Sequence, residues 1–93
     1  MIKSFRCRET GRIFRRHHAK SFPREIQKRA KMRLDRIDAA FNLLDLRVPF
    51  SHQLETLQGD RLGQHSIRIN DQWRMCFVWK DGDAYDVEIV DYH

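Results

Sequence analysis

Residues 65–90 read HSIRINDQWRMCFVWKDGDAYDVEIV, and this stretch decides the fold. Three of its segments alternate apolar and polar side chains with a period of two, which is typical of strands with one buried face. These segments are residues 65–69, 73–79 and 84–90. The second and third are joined by residues 80–83, which contain an Asp-Gly pair, a strong signal for a hairpin. The sequence therefore predicts a meander of three antiparallel strands.

The chain before Pro49 follows a helical period instead. Residues 8–18 predict a short helix, and Pro23 suits the first turn of a second helix with Ser21 or Phe22 as its cap. Beyond Pro23, apolar residues recur at spacings of three and four, which predicts one face of a long amphipathic helix. These positions are Ile26, Ala30, Leu34, Ile37, Phe41 and Leu44. The opposite face is basic and holds Lys28, Arg29, Lys31, Arg33 and Arg36.

Helices followed by strands in 93 residues predict one α+β domain over residues 1–93. Short further strands are expected at residues 2–5 and near 53–57, so the sheet should have about four to five strands. The odd-numbered residues of the meander are predicted to pack against the long helix. They are Ile67, Ile69, Trp73, Met75, Phe77, Tyr85, Val87 and Ile89.

Arg68 and Arg74 are predicted to lie near each other on the other, open face of the sheet. Arginines bind phosphates through paired hydrogen bonds, so this pair is a candidate contact for a nucleic-acid backbone. Asp86 and Glu88 share the same face and would neutralise the arginines in an ordinary cross-strand ladder. Both interpretations stay open at this point.

The basic charge of the chain is confined to its N-terminal half. Residues 1–50 contain 14 Lys and Arg against five Asp and Glu, whereas residues 51–93 contain four against eight. Such clustering favours a surface for phosphates or for an acidic partner over a merely solvated helix face.

Several classes of protein are excluded by what the sequence lacks. No apolar run approaches the roughly 18 residues that span a bilayer, and the N-terminus lacks the apolar stretch of a signal peptide, so we expect a cytoplasmic protein without a membrane partner. Cys7 and Cys76 are expected to be reduced core thiols rather than nucleophiles. No Cys or His pair has the spacing of a zinc site, and there is no glycine-rich phosphate loop, so neither a metal nor a cofactor is expected.

The printed sequence ends at His93, two residues after Asp91. The α-carboxylate of His93 and the nearby Asp91 are expected to favour the imidazolium form of this histidine. A cationic imidazole is a general acid and a phosphate ligand. A frayed terminus is the alternative interpretation.

Several stretches resemble the HigB toxins of bacterial toxin–antitoxin systems, within the RelE/ParE superfamily, with the GraT-type branch most similar. They are residues 1–5 (MIKSF), 57–70 (LQGDRLGQHSIRIN), 72–77 (QWRMCF) and 90–93 (VDYH). The resemblance implies two N-terminal helices packed on a twisted antiparallel sheet. It also implies a ribosome-dependent endonuclease that cuts mRNA in the ribosomal A site without a metal ion. A cognate helix-turn-helix antitoxin would silence it, and the complex would contact operator DNA through that antitoxin.

The resemblance also implies roles for individual residues. Arg74 matches the arginine that would stabilise the phosphorane, and Tyr92 and His93 match a terminal catalytic pair. We assign proton transfer to His93 and positioning or stacking to Tyr92. The residues expected to bind RNA are Arg68, Asn70, Asp91, Lys28, Lys31 and Arg36.

One stretch departs from the pattern of better-known relatives, which carry His-Pro-Leu-Lys-Gly-Asp where residues 55–60 read ETLQGD. Glu55 replaces the histidine, and Gln58 replaces the lysine without its positive charge. Glu55 is a candidate general base or else a plain carboxylate at the edge of a strand. His65 and His52 are further candidates for the missing histidine.

Two rival functions are compatible with the same sequence. A ParE-like gyrase poison shares the fold, and a non-enzymatic basic adaptor would need only the helix face. The terminal Asp-Tyr-His and the pair Trp73 and Arg74 favour the nuclease.

Overall fold

The computed structural model describes residues 1–92, in which two helices precede a four-stranded antiparallel sheet. The helices are α1 (Arg8–Phe14) and α2 (Arg24–Ala39). The strands, which lie side by side in chain order, are β1 (Glu55–Thr56), β2 (Gln64–Arg68), β3 (Trp73–Lys80) and β4 (Asp83–Asp91). Short 3₁₀ helices span Leu43–Arg47, Phe50–His52 and Gly59–Arg61. The predicted α+β class is confirmed.

The apolar face of α2 forms half of the core, as its spacing predicts. Ile26, Ala30, Leu34 and Ile37 are all buried against the sheet. The helix starts directly after Pro23, so this proline is in the capping position instead of Ser21 or Phe22, which were the predicted caps. Neither helix within residues 1–92 has the length and apolar character needed to cross a membrane.

The prediction that α2 continues to Leu44 is wrong, because the helix ends at Ala39 and Ala40 is extended. The Asp45 carboxylate accepts hydrogen bonds from the backbone N–H groups of Phe41 and Asn42, at 3.1 and 3.0 Å. These bonds start a separate 3₁₀ helix at Leu43, in which the path of the chain differs from that of α2. Phe41 and Leu44 are consequently exposed to solvent instead of lying in the core.

The first residues form only isolated bridges beside β4 rather than a full strand. Ile2 and Phe5 bridge to Ala84 and Val87 in parallel orientation. The N–H of Lys3 donates to the carbonyl of Ala84 at 2.8 Å. The predicted short strand at residues 2–5 is therefore reduced to these two bridges.

The apolar face of the sheet follows the predicted odd positions up to an irregularity in β4. Phe77, Val87 and most other odd positions of the meander are buried, but Tyr85 is not, and Ala84 is buried in its place. The register shifts between Cys76 and Val78, opposite a stretch of β4 that contains Asp86 at a φ of 53°. A bulge of this kind exchanges the two faces of a strand, which explains the change of parity.

The prediction that the even-numbered face is open is wrong at its centre. Ser66, Arg74 and Cys76 are buried there, because the chain from Gln53 into β1 lies beside them. Glu88 pairs with arginines outside the meander, Arg6 and Arg61, rather than with Arg68 or Arg74. The simple cross-strand ladder is therefore not formed.

The basic face of α2 is also less uniform than predicted. Arg33 is buried, and its Nε donates to the carbonyl of Arg68 at 2.8 Å. Arg29 donates to the carbonyl of Ile69 at 3.2 Å. These two arginines fasten α2 to the end of β2, while Lys28 remains exposed.

Candidate active site

The Arg74 side chain is the centre of the candidate site. It is 8% exposed, and its Nε donates to the Ser66 hydroxyl at 2.8 Å. Its Nη2 donates to the carbonyls of Gln53 and Ser66, at 2.5 and 3.3 Å. Because Nε and Nη2 are engaged with protein atoms, the guanidinium is held in one orientation. Nη1 is the nitrogen that points toward Glu55.

Glu55 approaches Arg74 from the edge strand β1. Its Oε1 lies 3.8 Å from Nη1 of Arg74, and its side chain is 53% exposed. β1 pairs with β2 so that Glu55 is opposite Ser66, which places the carboxylate on the same face as Arg74. Just before β1, Gln53 adopts the left-handed conformation, with a φ of 45°. This ion pair is long and partly solvated, so an anionic ligand can enter between its partners.

Tyr92 approaches Arg74 from the end of β4. Its ring centroid lies 5.7 Å from Cζ of Arg74, a cation–π distance, and the residue is 44% exposed. The Tyr92 N–H donates to the carbonyl of Gln72 at 2.7 Å, and Gln72 in turn donates to the Asp91 carboxylate at 3.1 Å. The ring is therefore held beside the guanidinium and still faces solvent.

The structure thus brings together three of the four predicted catalytic residues, Arg74, Glu55 and Tyr92. They are distant in the sequence and reach the site from three different strand regions. The fourth, His93, lies outside the described residues. A fixed guanidinium, a carboxylate and an aromatic ring are the groups needed to bind a phosphate, accept a proton and stack a base.

The predicted backbone ligands beside the site have structural partners. Arg68 is the cross-strand neighbour of Arg74, as predicted, and it pairs with Asp71. The side-chain oxygen of Asn70 accepts hydrogen bonds from the N–H groups of Gln72 and Trp73, at 2.9 and 2.8 Å. Asn70 therefore organises the turn between β2 and β3.

The basic residues of α2 lie on the other layer of the molecule, because the helices cover the opposite face of the sheet. Lys28 and Lys31 line a groove of about 610 Å³ between α1 and α2, together with His17, His18 and Arg24. Arg36 does not share this groove but donates to the carbonyl of Val48 at 2.5 Å. The predicted RNA-binding residues therefore form separate surfaces rather than one.

The two histidines considered as substitutes do not join Arg74. His52 is fully buried, and its Nδ1 donates to the carbonyl of Leu46 at 3.1 Å. His65 lies against Phe77 on the core side and contacts the Thr56 hydroxyl at 3.2 Å. Burial lowers the pKa of both imidazoles, so both are neutral near pH 7.

Sequence reasoning missed the groups that hold Arg74, namely Ser66 and the carbonyl of Gln53. It also missed Arg61, whose Nη1 lies 3.2 Å from Glu88 on the same face of the sheet. Cys76 lies buried on this face, and its burial raises the pKa of the thiol to about 11, so it remains protonated and is not a nucleophile. Within residues 1–92, no three Cys, His, Asp or Glu side chains come together as metal ligands.

Comparison with known proteins places the chain in a family. The family model described as RelE-like toxin of type II toxin-antitoxin system HigB matches residues 3–93. Over 93 residues, 100% of both chains, the sequence is 34% identical to Endoribonuclease HigB of Proteus vulgaris. It is also 40% identical over 62 residues to Toxin HigB-1 of Vibrio cholerae serotype O1, a match that covers 67% of this chain and 65% of the relative.

The chain belongs to the HigB family of RelE-like toxins.

Membership of the HigB family confirms the resemblance seen in the sequence, and it implies an antitoxin as partner. Assignment to the GraT-type branch stays a prediction. Two of the stretches that carry the family resemblance, residues 57–70 and 72–77, include β2 and the first part of β3, which supply Ser66 and Arg74.

The buried His52 of this HigB chain leads to a prediction about stability and pH. Its pKa is lowered mainly by burial, and the charges of Arg33 and Arg36 act in the same direction. The unfolded chain takes up a proton near pH 6.5 while the folded imidazole stays neutral, so the stabilisation is complete above pH 6.5 and declines as the pH falls below it. The free energy of unfolding should therefore be lower at pH 5.5 than at pH 7.5, by at most about 1.4 kcal/mol per pH unit for one histidine.

Urea unfolding at the two pH values tests this prediction. In His52→Asn the difference between pH 7.5 and pH 5.5 should shrink, since the asparagine amide can replace the Nδ1 donor but does not titrate. His18→Asn is the control, because His18 is exposed. An unchanged pH dependence in His52→Asn would show that the histidine does not couple protonation to folding.

Proposed function

We propose that this HigB family member is a ribosome-dependent endoribonuclease that cleaves mRNA without a metal ion. The observation that carries the proposal is the convergence of Glu55 and Tyr92 on the buried, fixed guanidinium of Arg74. The name of the Proteus vulgaris relative, an endoribonuclease, supports the reaction class. The geometry is suited to a phosphodiester because its cation, base and stacking ring lie within a few ångströms of each other.

The proposed reaction is attack of a ribose 2′-OH on the adjacent phosphorus. Glu55 accepts the 2′-OH proton as the O2′–P bond forms, and the P–O5′ bond breaks. The leaving O5′ receives a proton from His93, a role inferred from the family resemblance. The products are a 2′,3′-cyclic phosphate and a 5′-hydroxyl end, so atoms and charge balance without an external reactant.

Arg74 stabilises the charge that develops on the phosphorane. Its Nη1 is directed to the open side of the site, and a phosphate oxygen entering beside Glu55 would accept a hydrogen bond from it. Tyr92 is placed to stack on a base next to the scissile bond. Such a small set of groups suffices if the ribosome holds the mRNA codon in the reactive geometry.

The role of Glu55 as a base, rather than a plain partner of Arg74, is tested by Glu55→Gln. This change keeps the size of the side chain but removes the proton acceptor, and we expect about a 100-fold lower cleavage rate. A variant that keeps the rate would assign Glu55 to charge pairing alone.

The groove between α1 and α2 is proposed to dock on ribosomal RNA. Arg24 and Lys28 are exposed and make no ion pair within the described part of the chain. Reversing both charges, in Arg24→Glu with Lys28→Glu, should weaken ribosome binding about tenfold or more and reduce its dependence on salt. Lys80→Glu, exposed at the far hairpin, is the matched control. Equal binding by the groove variant and the control would move the docking surface elsewhere.

The partners follow from this function. The antitoxin is proposed to carry a helix-turn-helix domain, through which the complex contacts operator DNA. Ribosomes and mRNA place the site of action in the cytoplasm.

Primer extension on mRNA from cells that express the chain without its antitoxin tests the proposal. We expect growth arrest and new 5′ ends within translated codons. A gyrase poison would stop thymidine incorporation before methionine incorporation, and an RNA-binding adaptor would leave the mRNA whole. Arrest with intact mRNA would therefore overturn the endonuclease assignment.

A further inference from the structure

The segment between α2 and β1 exposes a row of large apolar side chains. We call this row the apolar ridge, and it consists of Phe41 (86% exposed), Leu44 (63%), Val48 (65%) and Phe50 (87%). Four of the eight exposed large hydrophobic residues within residues 1–92 thus fall in ten consecutive positions. Exposed apolar side chains concentrated in one short segment favour a surface that another molecule covers.

The ridge is held in place by local hydrogen bonds. In the 3₁₀ helix Leu43–Arg47 the period is three residues, so Leu43 and Leu46 face inward while Leu44 and Arg47 face outward. The Asp45 carboxylate fixes the start of this helix through the bonds to Phe41 and Asn42 described above. The exposed side chains are therefore presented on ordered backbone.

A cavity of about 300 Å³ adjoins the ridge between α2 and Pro49. It is lined by Met32, Arg33, Asp35, Arg36, Pro49 and His52. His52 is fully buried, and its Nε2 is the buried side-chain atom that lacks a hydrogen-bond partner within residues 1–92. A buried polar atom without a partner is costly, so a group that supplies a donor here would be bound favourably.

The charge around the ridge and cavity is positive. Arg33, Arg36 and Arg47 make no ion pair within the described part of the chain. Of the nearby carboxylates, Asp35 is paired with Lys31 at 2.5 Å, and Asp45 accepts hydrogen bonds from the N–H groups of Phe41 and Asn42, so the arginines outnumber the unpaired carboxylate. A second copy of this chain would bring the same arginines and a net charge of +5 to the contact, which disfavours self-association. Ribosomal RNA would neutralise the arginines but leave the four apolar side chains exposed.

We propose that the apolar ridge and the adjoining cavity are the docking surface for the antitoxin, and that the antitoxin covers them with an amphipathic segment carrying acidic residues. The apolar side chains of that segment would pack on Phe41, Leu44 and Phe50, and its carboxylates would face Arg36 and Arg47. A polar side chain with a donor group would enter the cavity toward His52. This inference rests on the family membership of the chain and not on the cleavage mechanism.

The same surface reaches the candidate active site through Gln53. Arg47 and Phe50 line a small cavity together with Gln53, whose carbonyl holds Nη2 of Arg74 at 2.5 Å. An antitoxin segment bound to Phe50 would therefore lie next to Gln53, whose carbonyl orients Arg74. Docking on the ridge would restrain or shift this carbonyl, and this provides a route from antitoxin binding to silencing of the toxin.

The test measures, by calorimetry, the affinity of the purified chain for its cognate antitoxin. The ridge variant is Phe41→Ser with Phe50→Ser, and both positions are exposed enough that the fold should be retained, which circular dichroism checks. The matched control is Leu62→Ser, 74% exposed but outside the ridge. We expect at least about a tenfold loss of affinity in the ridge variant and none in the control. Arg47→Glu should weaken binding as well, while Lys80→Glu should not.

Two outcomes would overturn the inference. Unchanged antitoxin affinity in the ridge variant would remove the ridge from the interface. A loss of ribosome binding or of self-association, with antitoxin affinity intact, would assign the ridge to that other partner. Cleavage is not part of this measurement, so a chain that binds antitoxin through the ridge but does not cut RNA would refute the proposed function alone.

Discussion

Arg74→Ala is expected to lower the rate of mRNA cleavage by about 100- to 1000-fold, the usual loss when one pre-organised donor to a transition-state anion is removed. The reason is that Arg74 is the fixed cation of the site, held by Ser66 and Gln53 with Nη1 directed outward. The measurement is the rate of appearance of cleaved mRNA in purified translating ribosomes. In cells, the same change should relieve growth arrest.

The fold of this variant must be checked, because the change also leaves buried acceptors unpaired. We expect a destabilisation of about 1–3 kcal/mol from the unsatisfied groups at Ser66 and Gln53. Arg74→Lys keeps a positive charge but not the forked geometry, and it should recover only part of the activity. Arg12→Ala, at a partly exposed ion pair on α1, is the control and should be fully active. A folded Arg74→Ala protein with full activity would mean that the site lies elsewhere.

Phe77→Ala is expected to cost about 3–5 kcal/mol of unfolding free energy, which is a large part of the stability of a domain of this size. Phe77 is fully buried in the middle of β3, where it packs with the apolar face of α2. Removing its ring leaves a cavity that the rigid sheet cannot close. Urea unfolding followed by circular dichroism measures the loss.

Phe50→Ala provides the matched control for this prediction. The same ring is removed at a position that is 87% exposed, so the change should be within about 0.5 kcal/mol. A comparable loss of unfolding free energy at the two positions would contradict the assignment of the core, because the two predictions differ only in the burial of the phenylalanine.

Much of the fold could be predicted because two periods dominate the sequence. The spacing of Ile26, Ala30, Leu34 and Ile37 identifies the buried face of α2, and the alternation from Ile67 to Phe77 identifies the buried face of the sheet. The end of α2 could not be predicted in the same way, because Phe41 and Leu44 continue the period by spacing alone. The competing hydrogen bonds from Asp45 decide the outcome, and their effect depends on geometry rather than on pattern.

The bulge in β4 escaped prediction for a similar reason. Asp86 adopts a positive φ, which the alternation of apolar residues does not predict. The bulge at this position exchanges the faces on which Ala84 and Tyr85 lie. Arg33 was expected on the solvated face, but its guanidinium caps the end of β2 through the carbonyl of Arg68. Contacts between distant segments override local patterns at each of these places.

The residues of the candidate site could be predicted from the sequence, but the groups that hold Arg74 in place could not. The family resemblance identified Arg74 and Tyr92, and the departure at residues 55–60 drew attention to Glu55. Their convergence depends on the strand register that places Glu55 opposite Ser66, and this register is not evident from the sequence alone. The roles of Ser66 and Gln53 arise from burial and from one left-handed residue, so no motif would have indicated them. The role given to His93 stays a prediction.

The central claim is that the chain cuts mRNA on the ribosome with Arg74 as the essential cation. The most direct test compares the purified chain with its Arg74→Ala variant on the same mRNA. The mRNA is either free or bound in an initiated ribosome with an empty A site. Primer extension then gives the positions of the cuts. We predict cleavage at the A-site codon of the ribosome-bound mRNA by the unchanged chain, and neither cleavage of free mRNA nor appreciable cleavage by the variant. Intact ribosome-bound mRNA, or equal cleavage by both proteins, would contradict the claim.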